Sequence, residues 1–186
     1  MFTRTEDKNM LKDYYPYEYV ESVFAIDYNK LYGLGFRGII FDIDNTLVPH
    51  GDDSTPEVDA LFEEIHSAGL KTVLLSNNDR ERIERFIKNI DTQYVCDAEK
   101  PDEKGFLTAL EKLGTDKREA VCVGDQVFTD IYGANKCGID SILVKFIGYY
   151  TETKLGIRRR LERIILKFYS MNRSYRGRIG NIEKGE

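Results

Sequence analysis

From Gly38 onward the chain alternates between short apolar runs and longer stretches whose apolar positions recur every three or four residues. The short runs predict strands at 38–43 (GIIFDI), 71–76 (KTVLLS), 93–96 (QYVC), 119–124 (EAVCVG) and 140–145 (DSILVK). The stretches between them predict helices over 56–69, 78–90, 102–114 and 126–138. Pro56 stands near the first position of the first helix and Gly69 at its end, which is the usual punctuation. Apolar strands joined by helices imply a parallel sheet covered on both faces. The predicted fold class is therefore α/β, a three-layer sandwich built on a five-stranded, mostly parallel sheet. Crossovers in such sheets are right-handed, and ligands bind outside the carboxyl ends of the strands at the topological switch point.

Outside this rhythm lie two further segments. The stretch YYPYEYVESVFAIDYNKLYGLG is rich in tyrosine and reads as short helices or turns. This divides the chain into an N-terminal extension (1–37) packed on a core (38–148), followed by a basic amphipathic helix and tail (149–186). In KLGIRRRLERIILKFYSM the residues Ile157, Leu161, Ile164, Ile165 and Phe168 share one helical face, with Arg159, Arg160, Arg163 and Lys167 off it. Packing of that apolar face onto the domain is expected over insertion into a membrane. A basic amphipathic helix can also lie on an anionic membrane, or show its basic side to RNA or to a protein.

Composition sets the setting of this fold. With 186 residues, 41 % hydrophobic and 32 % charged, the chain is one domain's worth and buries a core without staples. Cys96, Cys122 and Cys137 are widely spaced with no CxxC, which fits reduced thiols and neither a disulfide framework nor a zinc site. The segment MFTRTEDKNMLKDYY has no apolar stretch of signal-peptide length, and no run approaches a membrane span. These features point to a cytoplasmic protein, with peripheral membrane contact as the variant. Net charge is −5, but residues 152–182 carry nine Lys/Arg against Glu152 and Glu162, so that segment is +7 and the rest −12. Such asymmetry suggests a basic tail with a partner of its own.

The chemistry gathers at the strand ends. Asp42, Asp44 and Thr46 follow the first strand; Ser76, Asn77 and Asn78 the second; Lys100 the third; Asp125 and Asp130 the fourth. Alternation along an extended chain points positions 42 and 44 the same way, and Asp125 adds to the negative charge. Such a cluster is costly unless a cation neutralises it. Carboxylates without Cys or His suit Mg²⁺. Lys100 and the Ser76 hydroxyl suit a phosphate instead, as a positive charge and a donor. A carboxylate is also a competent nucleophile for phosphoryl transfer through an aspartyl-phosphate. Asp42 takes that role in this reading, and Asp44 protonates the leaving oxygen and then deprotonates water.

DIDNT, LLSNN, the lysine of EKP and GDQVFTD, in this order, resemble the four motifs of the haloacid dehalogenase (HAD) superfamily of phosphatases. The resemblance runs from about Gly38 to Lys145, and within the superfamily these motifs look like those of the YqeG-like, subclass IIIA phosphatases. The N-terminal PYEYVESVFAID segment and the arginine-rich C-terminus are similar to that group as well, and a related branch includes mitochondrial phosphatidylglycerophosphate phosphatases. The resemblance implies a Rossmann-like fold and a Mg²⁺-dependent phosphoric monoester hydrolase. Carried over by position, Asp42 resembles the nucleophile and Asp44 the acid-base. Asp42, the Asp44 main-chain carbonyl and Asp125 resemble the Mg²⁺ ligands, and Asp130 a further ligand or an orienter of metal-bound water. Ser76 and Lys100 resemble the phosphate-binding pair, with Thr46 and Asn77 as supporting groups at the substrate. His50 lies near enough to reach substrate, but a surface role is the expected one.

HAD enzymes acting on small metabolites often carry an inserted cap domain. Here residues 47–71 and 79–99 number 25 and 21, room for a helix and a loop or short strand but no cap. An open site favours a bulky substrate: a protein, a nucleic acid or a lipid headgroup, phosphatidylglycerophosphate among them. It also fits an oligomer in which a neighbour serves as lid. The competing reading is an RNA, ribonucleoprotein or membrane-binding assembly module with weak or vestigial phosphatase activity, motivated by the basic segment.

Overall fold

The computed structural model describes residues 11–148 and 157–185. The expectations placed on MFTRTEDKNM and on Glu152 and Lys154 fall outside the described residues. In chain order the elements are β1 (Glu18–Val20), α1 (Tyr28–Gly33), β2 (Gly38–Phe41), α2 (Pro56–Ser67) and β3 (Lys71–Leu75). Then come α3 (Arg80–Phe86), β4 (Gln93–Val95), α4 (Glu103–Leu113) and β5 (Ala120–Gly124). A π-helical turn (Val127–Ile131), α5 (Tyr132–Cys137), β6 (Asp140–Val144) and α6 (Ile157–Met171) complete the fold.

The helices start where local chemistry says they should. The Thr55 hydroxyl accepts from the Val58 N–H at 3.3 Å, with Pro56 at the first turn of α2. Asp79 accepts from the Arg82 N–H at 2.9 Å and opens α3. Gly114, in the left-handed region at φ 63°, closes α4.

All strands pair in parallel, in the order β1-β6-β5-β2-β3-β4. The sheet has six strands where five were expected. The additional strand is β1, inside the tyrosine-rich extension, paired with β6 from Glu18↔Ile142 to Val20↔Val144. The extension is thus part of the sheet, and not only turns laid on it. A three-residue edge strand has no periodicity to read; pairing with β6 makes it.

From β2 the chain moves outward through β3 to β4, then returns to the other side of β2 with β5 and β6, and the earlier β1 pairs outside β6. The switch point therefore falls between the carboxyl ends of β2 and β5. Every residue of both strands is buried, as a sheet covered on two faces requires. Ile39 and Phe41 pack into one core layer with Phe62, Ile65 and Phe86. Ile40 faces the opposite layer with Val73, Phe106 and Leu113. A third cluster joins Tyr15 to Val127, Ile131, Ile165 and Tyr169, and seats α6 beside the end of β5. No domain is inserted in the two gaps where a cap would sit: α2 fills one, α3 and β4 the other. Among the described residues no helix is long and apolar enough to cross a membrane.

The C-terminal helix corrects an expectation. Of the apolar stripe read from the sequence, only Ile165 is buried; Ile157, Leu161, Ile164 and Phe168 are exposed. The face that packs is Glu162, Ile165 and Tyr169, with Arg159 beside it. Periodicity identifies an apolar stripe but does not say what it meets. Here the polar pair Arg159–Glu162 has partners on the core, described below, and that turns the stripe outward.

Candidate active site

The Asp42 N–H donates to the Val123 carbonyl at 3.0 Å, one step past the last residue of β2. Beyond it the chain leaves the ladder. Asn45 adopts the left-handed conformation at φ 65°, which Asn tolerates better than most residues. The turn brings the Thr46 and Leu47 N–H groups back to the Ile43 carbonyl at 3.2 and 2.9 Å. Thr46 is thereby fully buried, and its hydroxyl donates to Asp42 Oδ2 at 3.0 Å and lies 3.4 Å from Asp125 Oδ1. In this geometry Thr46 holds Asp42 and does not face incoming substrate.

Lys100 arrives from the loop after β4. Its main-chain N–H donates to Asn77 Oδ1 at 2.7 Å, so Asn77 fixes the backbone that aims the lysine. The ammonium donates to Asp42 Oδ1 at 2.6 Å and to Asp130 Oδ1 at 2.7 Å. Asp130 is locked by a second contact, Oδ2 accepting from the Gln126 N–H at 3.1 Å. That fold-back needs Gly124: a Cβ there would lie 2.4 Å from Asp130 Cβ and Cγ. Ser76 is buried, with its Oγ accepting from the Asn78 N–H at 3.1 Å.

Asp42, Asp125 and Asp130 converge, each with one carboxylate oxygen within 4.8 Å of the others. Asp44 is not in this cluster, against the expectation that it would point with Asp42. The strand ends first, so the alternation does not carry that far. The Asp44 carboxylate turns instead to Asn78 Nδ2 at 2.7 Å, Arg82 Nη2 at 3.0 Å, the Gly51 N–H at 3.1 Å and His50 Nδ1 at 3.2 Å. His50 is largely solvent-exposed and its contact is with Asp44.

Reading the strand ends alone placed Asn78 there without its contact to Asp44, and missed Arg82, Arg159 and Glu162. Arg159 reaches in from α6, donating to the main-chain oxygen of Asp125 at 2.8 Å and pairing closely with its Oδ2. Its Nη1 also meets Glu162 Oε2 at 3.0 Å, and Glu162 Oε1 accepts from the Val127 N–H at 2.9 Å. The helix therefore clamps the segment that carries the last two acids. An arginine in the first turn of α3, as Arg82 is, carries a weak local signal, since α3 starts beside the site. Arg159 carries none, being 34 residues from its partner along the chain.

Charge in this pocket is finely offset. Burial lifts the Asp42 carboxyl to about 6, helped by the Asp130 charge and opposed by Lys100. Burial with the charges of Asp42 and Asp130 lifts Asp125 to about 7, against the pull of Arg159. Burial would lower the Lys100 ammonium, but Asp130 and Asp42 more than offset it, and the group stays above its usual range. Asp44 goes the other way: despite partial burial, donors from Asn78 and Gly51 and the Arg82 charge hold it below the usual carboxylate value. Three buried carboxylates against two cations leave the pocket short of positive charge, and their hard oxygens fit a divalent ion such as Mg²⁺.

A broad cleft lined by Lys71, Thr72, Gln93 and Tyr94 opens elsewhere, along the β4 edge, and contains none of these acids. The titratable groups converge at the carboxylates and not in the cleft.

A parallel sheet with acids at its switch point and a lysine between them defines a HAD-like hydrolase. A family model for haloacid dehalogenase-like hydrolases matches residues 50–138. The chain is 34 % identical over 158 residues to "Probable phosphatase YqeG" of Bacillus subtilis, covering 82 % of this chain and 92 % of that one. It is also 30 % identical to a phosphoglycolate phosphatase of Caulobacter vibrioides, over 59 % of this chain and 50 % of the relative. The crystal structure of a HAD phosphatase from Thermococcus onnurineus shares the fold, with TM-score 0.51 and 17 % identity over 70 % of this chain and 98 % of that one. The chain belongs to the haloacid dehalogenase superfamily of phosphatases, in its YqeG-like branch.

Proposed function

We propose that this phosphatase hydrolyses a bulky phosphate monoester through an aspartyl-phosphate on Asp42. The observation that carries the reading is the placement of Asp42 itself. It ends a buried strand, holds Lys100 on one oxygen and Thr46 on the other, and lies against Asp125 and Asp130. Lys100 and Thr46 fix the carboxylate so that it presents a lone pair to phosphorus. In the first step Asp42 oxygen bonds to phosphorus, the ester P–O bond breaks, and the leaving oxygen takes a proton from Asp44. In the second, water bonds to phosphorus and passes a proton to Asp44, and the P–O bond to Asp42 breaks to release phosphate. The donors around Asp44 favour its ionised form. That form suits the second step, and it makes the acid step the more demanding of the two. Asp42, Asp125 and the main-chain carbonyl of Asp44 would hold Mg²⁺, with Asp130 beside them. When bound, the ion screens repulsion between nucleophile and phosphate. Lys100 and Ser76 are the proposed phosphate contacts.

The absence of an inserted cap supports a substrate larger than a metabolite, because nothing built into the fold closes over the site. A lipid-headgroup ester such as phosphatidylglycerophosphate fits that requirement. The test is phosphate release from p-nitrophenyl phosphate with and without Mg²⁺. Wild type should turn over only with the ion, and Asp42→Asn should lose at least about a thousandfold in kcat. Unchanged turnover in Asp42→Asn would remove the proposed nucleophile.

A further inference from the structure

Helix α6 has two unlike faces. The inner one carries Arg159 and Glu162 to the backbone and carboxylate of Asp125 and to the Val127 N–H. The outer one exposes Ile157, Leu161, Ile164, Phe168 and Met171, each between 46 and 78 % exposed. These five follow at spacings of four, three, four and three, a continuous stripe along a 15-residue helix about 22 Å long. Beside the stripe stand Arg158, Arg160, Arg163 and Lys167, all exposed, while Glu162, which is buried, is the one acid between Ile157 and Gly180. No described residue covers the stripe.

We propose that this outer face of α6 is a docking surface for an anionic lipid bilayer. Large aliphatic and aromatic side chains flanked by arginine and lysine are the composition of a helix that lies in a membrane interface. The flanking cations meet anionic headgroups as the stripe enters the acyl boundary. A second copy of this chain fits poorly, because its own Arg158, Arg160 and Lys167 would face like charges beside the seam. RNA would account for the cations and leave the stripe unexplained.

The position of the face supports the same occupant. Phe146, also exposed, lies beside α6, with the Arg159 guanidinium 4.8 Å from its ring centroid. The Ile147 N–H, next along, donates to the Asn45 carbonyl at 3.0 Å, within the catalytic loop. The helix that carries the docking face therefore lies beside the catalytic loop. A bilayer held there would bring headgroups to the open site. The proposal rests on the phosphatase reading only for what the surface delivers; the surface itself is independent of turnover.

The test is co-sedimentation of the full chain with vesicles of phosphatidylcholine alone or with about one-third phosphatidylglycerol. Wild type should sediment with the anionic vesicles at least about tenfold more strongly than with neutral ones. A Leu161→Ser/Phe168→Ser variant should lose about tenfold or more of that binding while its thermal midpoint and p-nitrophenyl phosphate turnover stay as in wild type. Asp42→Asn should bind vesicles as wild type does, which separates this surface from the catalytic reading. Failure of wild type to bind anionic vesicles would overturn the proposal, as would undiminished binding by the double variant. A wild-type dimer in solution that the double variant dissolves would assign the face to a second copy and overturn it too.

Discussion

At the scale of single residues, the site depends on groups that fix acids in place as much as on the acids. Gly124 is one: its missing Cβ is what lets Asp130 fold back under Lys100. Gly124→Ala should displace Asp130 and the lysine it holds, lowering kcat about a hundredfold, as a misplacement near 1 Å can. Steady-state kinetics on an otherwise folded variant measures it, and wild-type rates would exclude the positioning role. Arg159 is another. Arg159→Met leaves the Asp125 and Glu162 carboxylates without their cation. Breaking such a pair costs about 3–5 kcal/mol when fully buried, and roughly 2 kcal/mol is expected here because the arginine is 22 % exposed. The thermal midpoint should then fall by roughly 4–8 °C. Of the residues singled out from the sequence, Asp42, Lys100, Asp125 and Asp130 meet in space, with Thr46 between two of them. Asp44 stands apart, because its direction was argued from a strand that had already ended.

At the scale of elements, helices α2 to α4 and strands β2 to β6 lie where the apolar pattern placed them, give or take the usual fraying at the ends. The pattern is strong there because each element buries a full face. The element after Gln126 begins as a π-helical turn, with the Ile131 N–H donating to the Gln126 carbonyl at 3.2 Å, before α5 starts. This widened turn carries Asp130. Strand β1 and the seating of α6 had no comparable signal. Helix α6 docks through Ile165 and Tyr169, so Ile165→Ala should loosen it at a cost of about 2–3 kcal/mol. Hydrogen exchange would show this as faster exchange over 157–171 with α2 and β3 unchanged. Uniform protection across the variant would mean that α6 is held by Arg159 and Glu162 alone.

At the scale of the whole molecule, the crowded carboxylates link stability to pH. Asp42 and Asp125 have folded values of about 6 and about 7, raised from the usual 3.8. Between those limits the folded protein binds more protons than the unfolded chain, so its stability falls as pH rises. In chelator, the thermal midpoint should be higher at pH 5 than at pH 8, and Mg²⁺ should restore it at pH 8. Asp125→Asn should flatten the dependence; a flat profile in wild type would mean the carboxylates are already neutralised. The sequence by itself determined the sheet-and-helix order, the four strand-end motifs, the lack of room for a cap and the phosphatase chemistry they imply. These are local or ordered properties: burial on two faces, and polar residues at fixed steps after each strand. Tertiary structure alone decided that β1 joins the sheet, that Asp44 parts from the acid cluster, and which way α6 faces. Each of those turns on partners far along the chain. The β6 edge, Arg82 and Asn78, and the Asp125–Val127 segment become partners only once the sheet has brought them together.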